Sequence, residues 1–226
     1  MTGVQTCALP ISELRREIIS TALDMNRLGI NQGKSGNVSA RIATGFLVTP
    51  TGIAYAETTP EQIVSMTMDG AHGGTILPSS EWRFHRVIYA ARPDVHAIVH
   101  THAAYCTTLA CMRREIPAFH YMIAVAGGDS IRCAPYATFG TQQLSEQAVA
   151  ALQDRNACLL AQHGMIAVSK SLEKALAVAV EVESLARMYW QILQVDPHPP
   201  ILSADEMITV IKKFKTYGQQ SAGADR

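Results

Sequence analysis

No charge of either sign prevails in this 226-residue sequence: 19 Lys and Arg oppose 19 Asp and Glu. The basic field that would hold nucleic acid or an anionic membrane surface is therefore missing. Long hydrophobic runs are missing too. The longest, such as Ala175–Val180, are interrupted by charge well short of a membrane span. Cysteine is scarce, with five residues at wide spacing (Cys7, Cys106, Cys111, Cys133, Cys158) and no Cys-x-x-Cys pair. An odd, scattered set argues against a disulfide framework and against a thiolate zinc site, and points to a reducing compartment, hence a cytoplasmic protein. The first residues lack the positive start and long apolar stretch of a signal peptide. Residues 1–11 differ in composition from the remainder of the chain and are expected to be an unstructured or non-native extension of a domain covering 12–226. No repeat of fixed period appears.

Nearly half of the residues are apolar, enough to fill one sizeable core. Ser12 is positioned to cap a helix whose apolar stripe runs through Leu14, Ile18, Ile19, Leu23, Met25 and Leu28 and which Gly29 ends. Strands are predicted at Val38–Ile42, Gly45–Val48 and Ile63–Met66, with a turn at Thr49-Pro50-Thr51-Gly52. A helix runs from about Glu81 to Ala91, stopped by Pro93. Val95–Thr101 is β-rich, Ala103–Met112 helical, Pro135–Gly140 loop and Thr141–Gln153 helical. Ala157–Leu160 and Met165–Val168 read as strands around a turn, and Leu172–Leu193 as a long helix. Ser203 and Glu206 have capping-box spacing for a last helix ending near Lys215. Helices mixed with strands indicate an α/β sandwich.

Chemistry concentrates first in Ala97-Ile98-Val99-His100-Thr101-His102. Alternate strand residues share a face, so two imidazoles two positions apart can point at one ion. A polar strand end with two solvated rings is the competing explanation, and the motif alone does not choose. His163 lies just past a buried-looking strand, and Gly164 after it allows a turn that aims the ring inward. Glu81 opens a helix, where the helix dipole favours a carboxylate with no further role. His85 lies one turn on from Glu81, so spacing also allows it as a ligand. His72, His96, His120 and His198 have no comparable partner.

Three further segments combine hydroxyls, amides and small residues: Gly33-Lys34-Ser35-Gly36-Asn37, Thr49-Pro50-Thr51-Gly52 and Pro78-Ser79-Ser80. Glycines let backbone N–H groups approach an anion, and Ser79-Ser80 sits at a helix N-terminus. Gly33-Lys34-Ser35 is not a Walker loop. That motif needs a glycine where Leu28 stands, and a strand where a helix is predicted.

Together these runs resemble the class II aldolase/adducin family. Leu28-Gly29-Ile30-Asn31-Gln32-Gly33, Ser35-Gly36-Asn37-Val38-Ser39 and Thr49-Pro50-Thr51-Gly52 carry the likeness. So do Leu77-Pro78-Ser79-Ser80-Glu81-Trp82, His100-Thr101-His102 and Gln162-His163-Gly164. His120–Ala124, Pro135–Thr141 and Lys213–Gly218 narrow it to members that cleave a ketose 1-phosphate. The resemblance implies a mainly antiparallel sheet and Zn2+ held by Glu81, His100, His102 and His163, with His85 outside the set. It implies a substrate phosphate on Asn37, Thr51, Gly52, Ser79 and Ser80. Glu81, Tyr121 and Tyr217 would be catalytic, the tyrosines coming from a neighbouring subunit of a C4 homotetramer with intersubunit active sites. The implied reaction is retro-aldol cleavage of L-fuculose 1-phosphate, or a similar phosphorylated sugar, to dihydroxyacetone phosphate and L-lactaldehyde. The alternatives are an L-ribulose-5-phosphate 4-epimerase or related phosphosugar lyase, and a non-catalytic adducin-like binding module. Lys34 departs from the pattern, standing where a threonine is expected.

Overall fold

The computed structural model describes residues 10–214. Helix α1 (Ile11–Arg27) is followed by β1 (Asn37–Ile42), β2 (Gly45–Val48), β3 (Val64–Thr67) and α2 (Trp82–Ala91). Next come β4 (Ala97–Thr101), α3 (Ala104–Cys111), β5 (Cys133–Ala134) and α4 (Gln142–Ala151). The last elements are β6 (Ala157–Leu160), β7 (Gly164–Ser169), α5 (Leu172–Leu193) and α6 (Ala204–Phe214).

The strands form one open sheet in the order β3-β2-β1-β4-β7-β6-β5. Among the described strands every pairing is antiparallel except β5 with β6. Both faces are buried, and strand alternation divides the apolar residues between them. Val38, Ala40, Ala97, Val99, Leu159, Met165 and Ala167 face a core shared with α1, α3 and α5. Phe46, Val64, Ile98, Leu160, Ile166 and Val168 face a second core, against α2 and α4. The result is the expected α/β sandwich on a mainly antiparallel sheet. The small α3 is locked by a distant residue: Glu183 of α5 accepts the backbone N–H groups of Tyr105 and Cys106, both at 2.9 Å. That carboxylate serves as the N-cap of a helix whose own preceding residue, Ala103, offers none.

Element ends follow local chemistry. Thr141 and Ser171 cap α4 and α5 through their hydroxyls, and Ser203 Oγ accepts the Glu206 N–H at 3.2 Å. Ser12 does not cap α1. The cap is Pro10, two residues earlier, because the Pro10 carbonyl takes the first helical bonds from Glu13 and Leu14 (2.9 and 3.0 Å) and its ring already holds φ at −53°. Ile11 of the expected extension is thus helical, while residues 1–9 lie outside the described residues. The 3₁₀ turn at Tyr121–Ala126 and the two-residue β5 have no counterpart in the predicted elements. Both are too short to impose a hydrophobic period on the sequence.

Candidate metal centre

β4 places His100 on the same face as Ile98, toward α2, where Phe84 meets the His100 ring edge-on at 5.3 Å. His100 Nδ1 lies 2.9 Å from the Met165 carbonyl. A carbonyl only accepts, so Nδ1 carries a proton and Nε2 is the ring atom turned toward the cluster. His102 comes two residues later, with its Nε2 3.2 Å from His100 Nε2. His163 arrives from the β6–β7 turn. The turn is made by Gln162, at φ 56°, rather than by Gly164. Gly164 serves proximity instead: a Cβ there would sit 2.6 Å from the Thr101 carbonyl oxygen and 2.9 Å from the His102 ring. The absence of a side chain lets the β7 start, and His163 with it, lie against the β4 end.

Glu81 occupies the position just before α2, but its side chain makes no capping hydrogen bond. It turns into the cluster, with Oε2 3.1 Å from His100 Nε2 and Oε1 3.1 Å from His163 Nε2. One donor atom from each of Glu81, His100, His102 and His163 lies within 4.8 Å of the others. Burial alone would raise the Glu81 carboxyl, yet His100 and His163, by charge and hydrogen bonding, hold it well below the usual carboxylate range. His102 is pushed down to about 4 by burial and by the nearby His100 and His163, against the pull of Glu81. An ionised carboxylate and neutral imidazoles are the protonation states that ligate. His100 Nε2 is turned toward a carboxylate oxygen and another imidazole nitrogen, and Glu81 Oε1, 3.1 Å from His163 Nε2, makes no hydrogen bond of good geometry. Three ring nitrogens and a carboxylate converging on one point fit a divalent cation, and that donor set suits zinc.

Beneath this cluster lies His85, fully buried. Its ring is occupied on both sides: Nε2 is 2.5 Å from Asn37 Oδ1 and Nδ1 is 2.7 Å from Ser39 Oγ. Asn37 Nδ2 in turn donates to Glu81 Oε2 at 3.0 Å. Burial, with a further push from His100 and an opposing pull from Glu81, lowers His85 to about 3. His85, which spacing allowed as a ligand, is a neighbour of the acid rather than a member of the set. Ser39 and Tyr89 were missed by the sequence reading. Their signal was parity, since Asn37 and Ser39 share the strand face that Glu81 and His85 approach.

The three hydroxyl-rich segments adjoin. The Thr51 N–H reaches the Leu77 carbonyl at 3.1 Å, and the Ser79 N–H reaches the Thr49 carbonyl at 2.9 Å. Lys34 Nζ donates to the Gly52 carbonyl at 2.7 Å, tying the first segment to the second. Gly52 has φ 75°, a conformation that favours glycine. Ser79 is buried and Ser80 exposed at the edge of a cavity of about 380 Å³ that also touches Ser35, Glu81, His102, His163, Tyr136 and Phe139. Tyr121 is not among the residues lining that cavity. It is half-exposed, with Phe214 6.4 Å from its ring. Tyr217 lies outside the described residues.

Comparison with known proteins agrees with this geometry. Residues 16–190 match the family described as Class II Aldolase and Adducin N-terminal domain. L-fuculose phosphate aldolase of Escherichia coli K12 is 54% identical over 207 residues, covering 92% of this chain and 96% of the relative. A 5-methylthioribulose-1-phosphate/5-deoxyribulose-1-phosphate aldolase of Rhodospirillum rubrum is 53% identical over 208 residues, covering 92% and 94%. A solved L-fuculose 1-phosphate aldolase superposes with a TM-score of 0.87 at 37% identity, covering 94% of this chain and all of that one. With its Glu/His cluster intact, this chain belongs to the class II aldolase/adducin family and is one of its metal-dependent aldolases.

Proposed function

We propose that this aldolase cleaves L-fuculose 1-phosphate to dihydroxyacetone phosphate and L-lactaldehyde, with zinc held by Glu81, His100, His102 and His163. The observation that carries the metal assignment is the convergence of three imidazoles and one carboxylate within 4.8 Å. A cation bound there supplies Lewis acidity for the negative charge that carbon–carbon cleavage leaves beside a carbonyl. Glu81 is the acid/base that moves the proton at that carbon, since its ionised carboxylate is an acceptor at neutral pH. The phosphate is assigned to the side-chain amide of Asn37, the hydroxyls of Thr51, Ser79 and Ser80, and the backbone N–H of Gly52, while the Thr51 and Ser79 N–H groups hold the loops together. The joining of their loops through Thr51–Leu77, Ser79–Thr49 and Lys34–Gly52 supports this. Tyr121 is assigned the proton of the hydroxyl at the cleaved bond, and Tyr217 the closing of the site. Both are assigned to a neighbouring subunit of a cytoplasmic homotetramer; for Tyr121 its position outside its own chain's cavity supports this.

A second substrate is favoured by a specific feature. Tyr136 and Phe139 give the cavity an aromatic wall, which suits an apolar tail such as that of 5-methylthioribulose 1-phosphate, and the Rhodospirillum relative is nearly as similar as the Escherichia one. A panel of ketose 1-phosphates assayed for dihydroxyacetone phosphate and free aldehyde decides between them. Fastest release is expected from L-fuculose 1-phosphate. Faster release from the methylthio sugar moves the assignment, and epimerisation without free aldehyde refutes cleavage.

A further inference from the structure

Hydrogen bonds beneath Glu81 run in one direction. The Glu81 carboxylate only accepts, so Asn37 must present its NH2 to it. That orients the other end of the amide, Oδ1, toward His85 Nε2, which must then carry the ring proton. His85 Nδ1 is left as an acceptor and takes the hydroxyl proton of Ser39. Ser39 Oγ, its own proton committed, accepts from the Tyr89 hydroxyl at 2.8 Å. Tyr89, Ser39, His85 and Asn37 thus form a buried donor chain that ends on one oxygen of the acid. Each member is almost wholly removed from water, so no solvent competes for its hydrogen bonds and each bond polarises the next. The ring of His85 stacks on Phe84 at 4.5 Å, which fixes its plane.

Resting on the aldolase reading, we propose that His85 is a positioning residue that, through Asn37, fixes the direction in which the Glu81 carboxylate points. An asparagine amide without His85 is free to turn over and present its oxygen to the carboxylate, repelling it. With His85 donating to that oxygen, only one orientation is satisfied. The amide nitrogen carries a second hydrogen, so this role is compatible with a phosphate contact by Asn37. Both ring nitrogens of His85 are taken by Asn37 and Ser39 rather than by the four candidate ligands. Its effect passes entirely through Asn37.

The test uses the zinc-loaded full chain and two readouts: steady-state cleavage, and the rate at which zinc passes to a colorimetric chelator. His85→Gln retains a tip N–H able to reach Asn37 and is expected to stay within about 3-fold of the parent in both. His85→Leu removes the donor. Zinc is expected to leave it roughly 10-fold faster, with kcat lowered about 10- to 100-fold and KM changed less than about 2-fold. If the leucine variant does not fold, His85→Asn, polar but too short to reach, replaces it with the same expectation. A donor-free variant that matches the parent in zinc release and kcat, or a glutamine variant as impaired as the donor-free one, overturns the proposal. Failure of the aldolase reading itself shows separately, as a parent protein that releases no aldehyde.

Discussion

In the proposed reaction a single carboxylate carries the chemistry at the residue scale. Glu81 stands at a helix start, where a dipole role was an equally good reading of the sequence, yet its oxygens face His100 and His163 instead of helix N–H groups. Glu81→Gln keeps the shape and an oxygen donor but removes the proton acceptor. It is expected to lower kcat by about 10²- to 10⁴-fold while zinc content, measured by elemental analysis, stays near one per chain. Near-normal turnover with zinc bound would exclude the acid/base role. The fully buried His85 gives a second prediction at this scale. The folded chain keeps it neutral down to about pH 3, whereas an unfolded histidine takes up a proton near pH 6.5. Below pH 6.5 the unfolded state therefore binds the extra proton. The contribution of His85 is complete above that pH and is lost as pH falls toward 3, at up to about 1.4 kcal/mol per pH unit. Urea unfolding of metal-stripped protein between pH 7 and 4.5 should show a shallower acid loss for His85→Gln than for the parent. Parallel curves would contradict this.

Among the elements, β4 and the β6–β7 turn decide whether the candidate ligands meet, and here the sequence was legible in part. The His-x-His alternation on an apolar strand indicated the correct face, because strand period is set by backbone geometry. The long α5 and the strands around His163 were legible from hydrophobic period and turn residues. The function of Gly164 was not. Its φ is not positive, and the close approach of the Thr101 carbonyl and the His102 ring explains it. Nor was Glu183, whose partners at Tyr105 and Cys106 are more than seventy residues away. Contacts of that range leave no periodic trace. Gly164→Ala is expected to push β7 off the β4 end and loosen zinc by at least about 10-fold in a chelator competition. Unchanged affinity would show that the strands tolerate the added carbon. Glu183→Gln weakens a charged double acceptor and should cost about 1–2 kcal/mol, read as a fall of several degrees in Tm by calorimetry.

For the whole molecule, the candidate site joins distant parts of the chain: the start of α2, the end of β4 and the β6–β7 turn, backed by Asn37 at the opening of β1. A cation binding only the folded form stabilises it by mass action. Tm should therefore rise with free zinc, by an amount that His102→Ala largely abolishes. The central claim is that these four side chains hold the ion on which cleavage depends. The most direct measurement is titration of metal-stripped protein with zinc while dihydroxyacetone phosphate release is followed. The expected result is activity absent at the start and restored in proportion, saturating at one ion per chain. Full cleavage by the stripped protein, or zinc that binds at one per chain without restoring it, would contradict the claim.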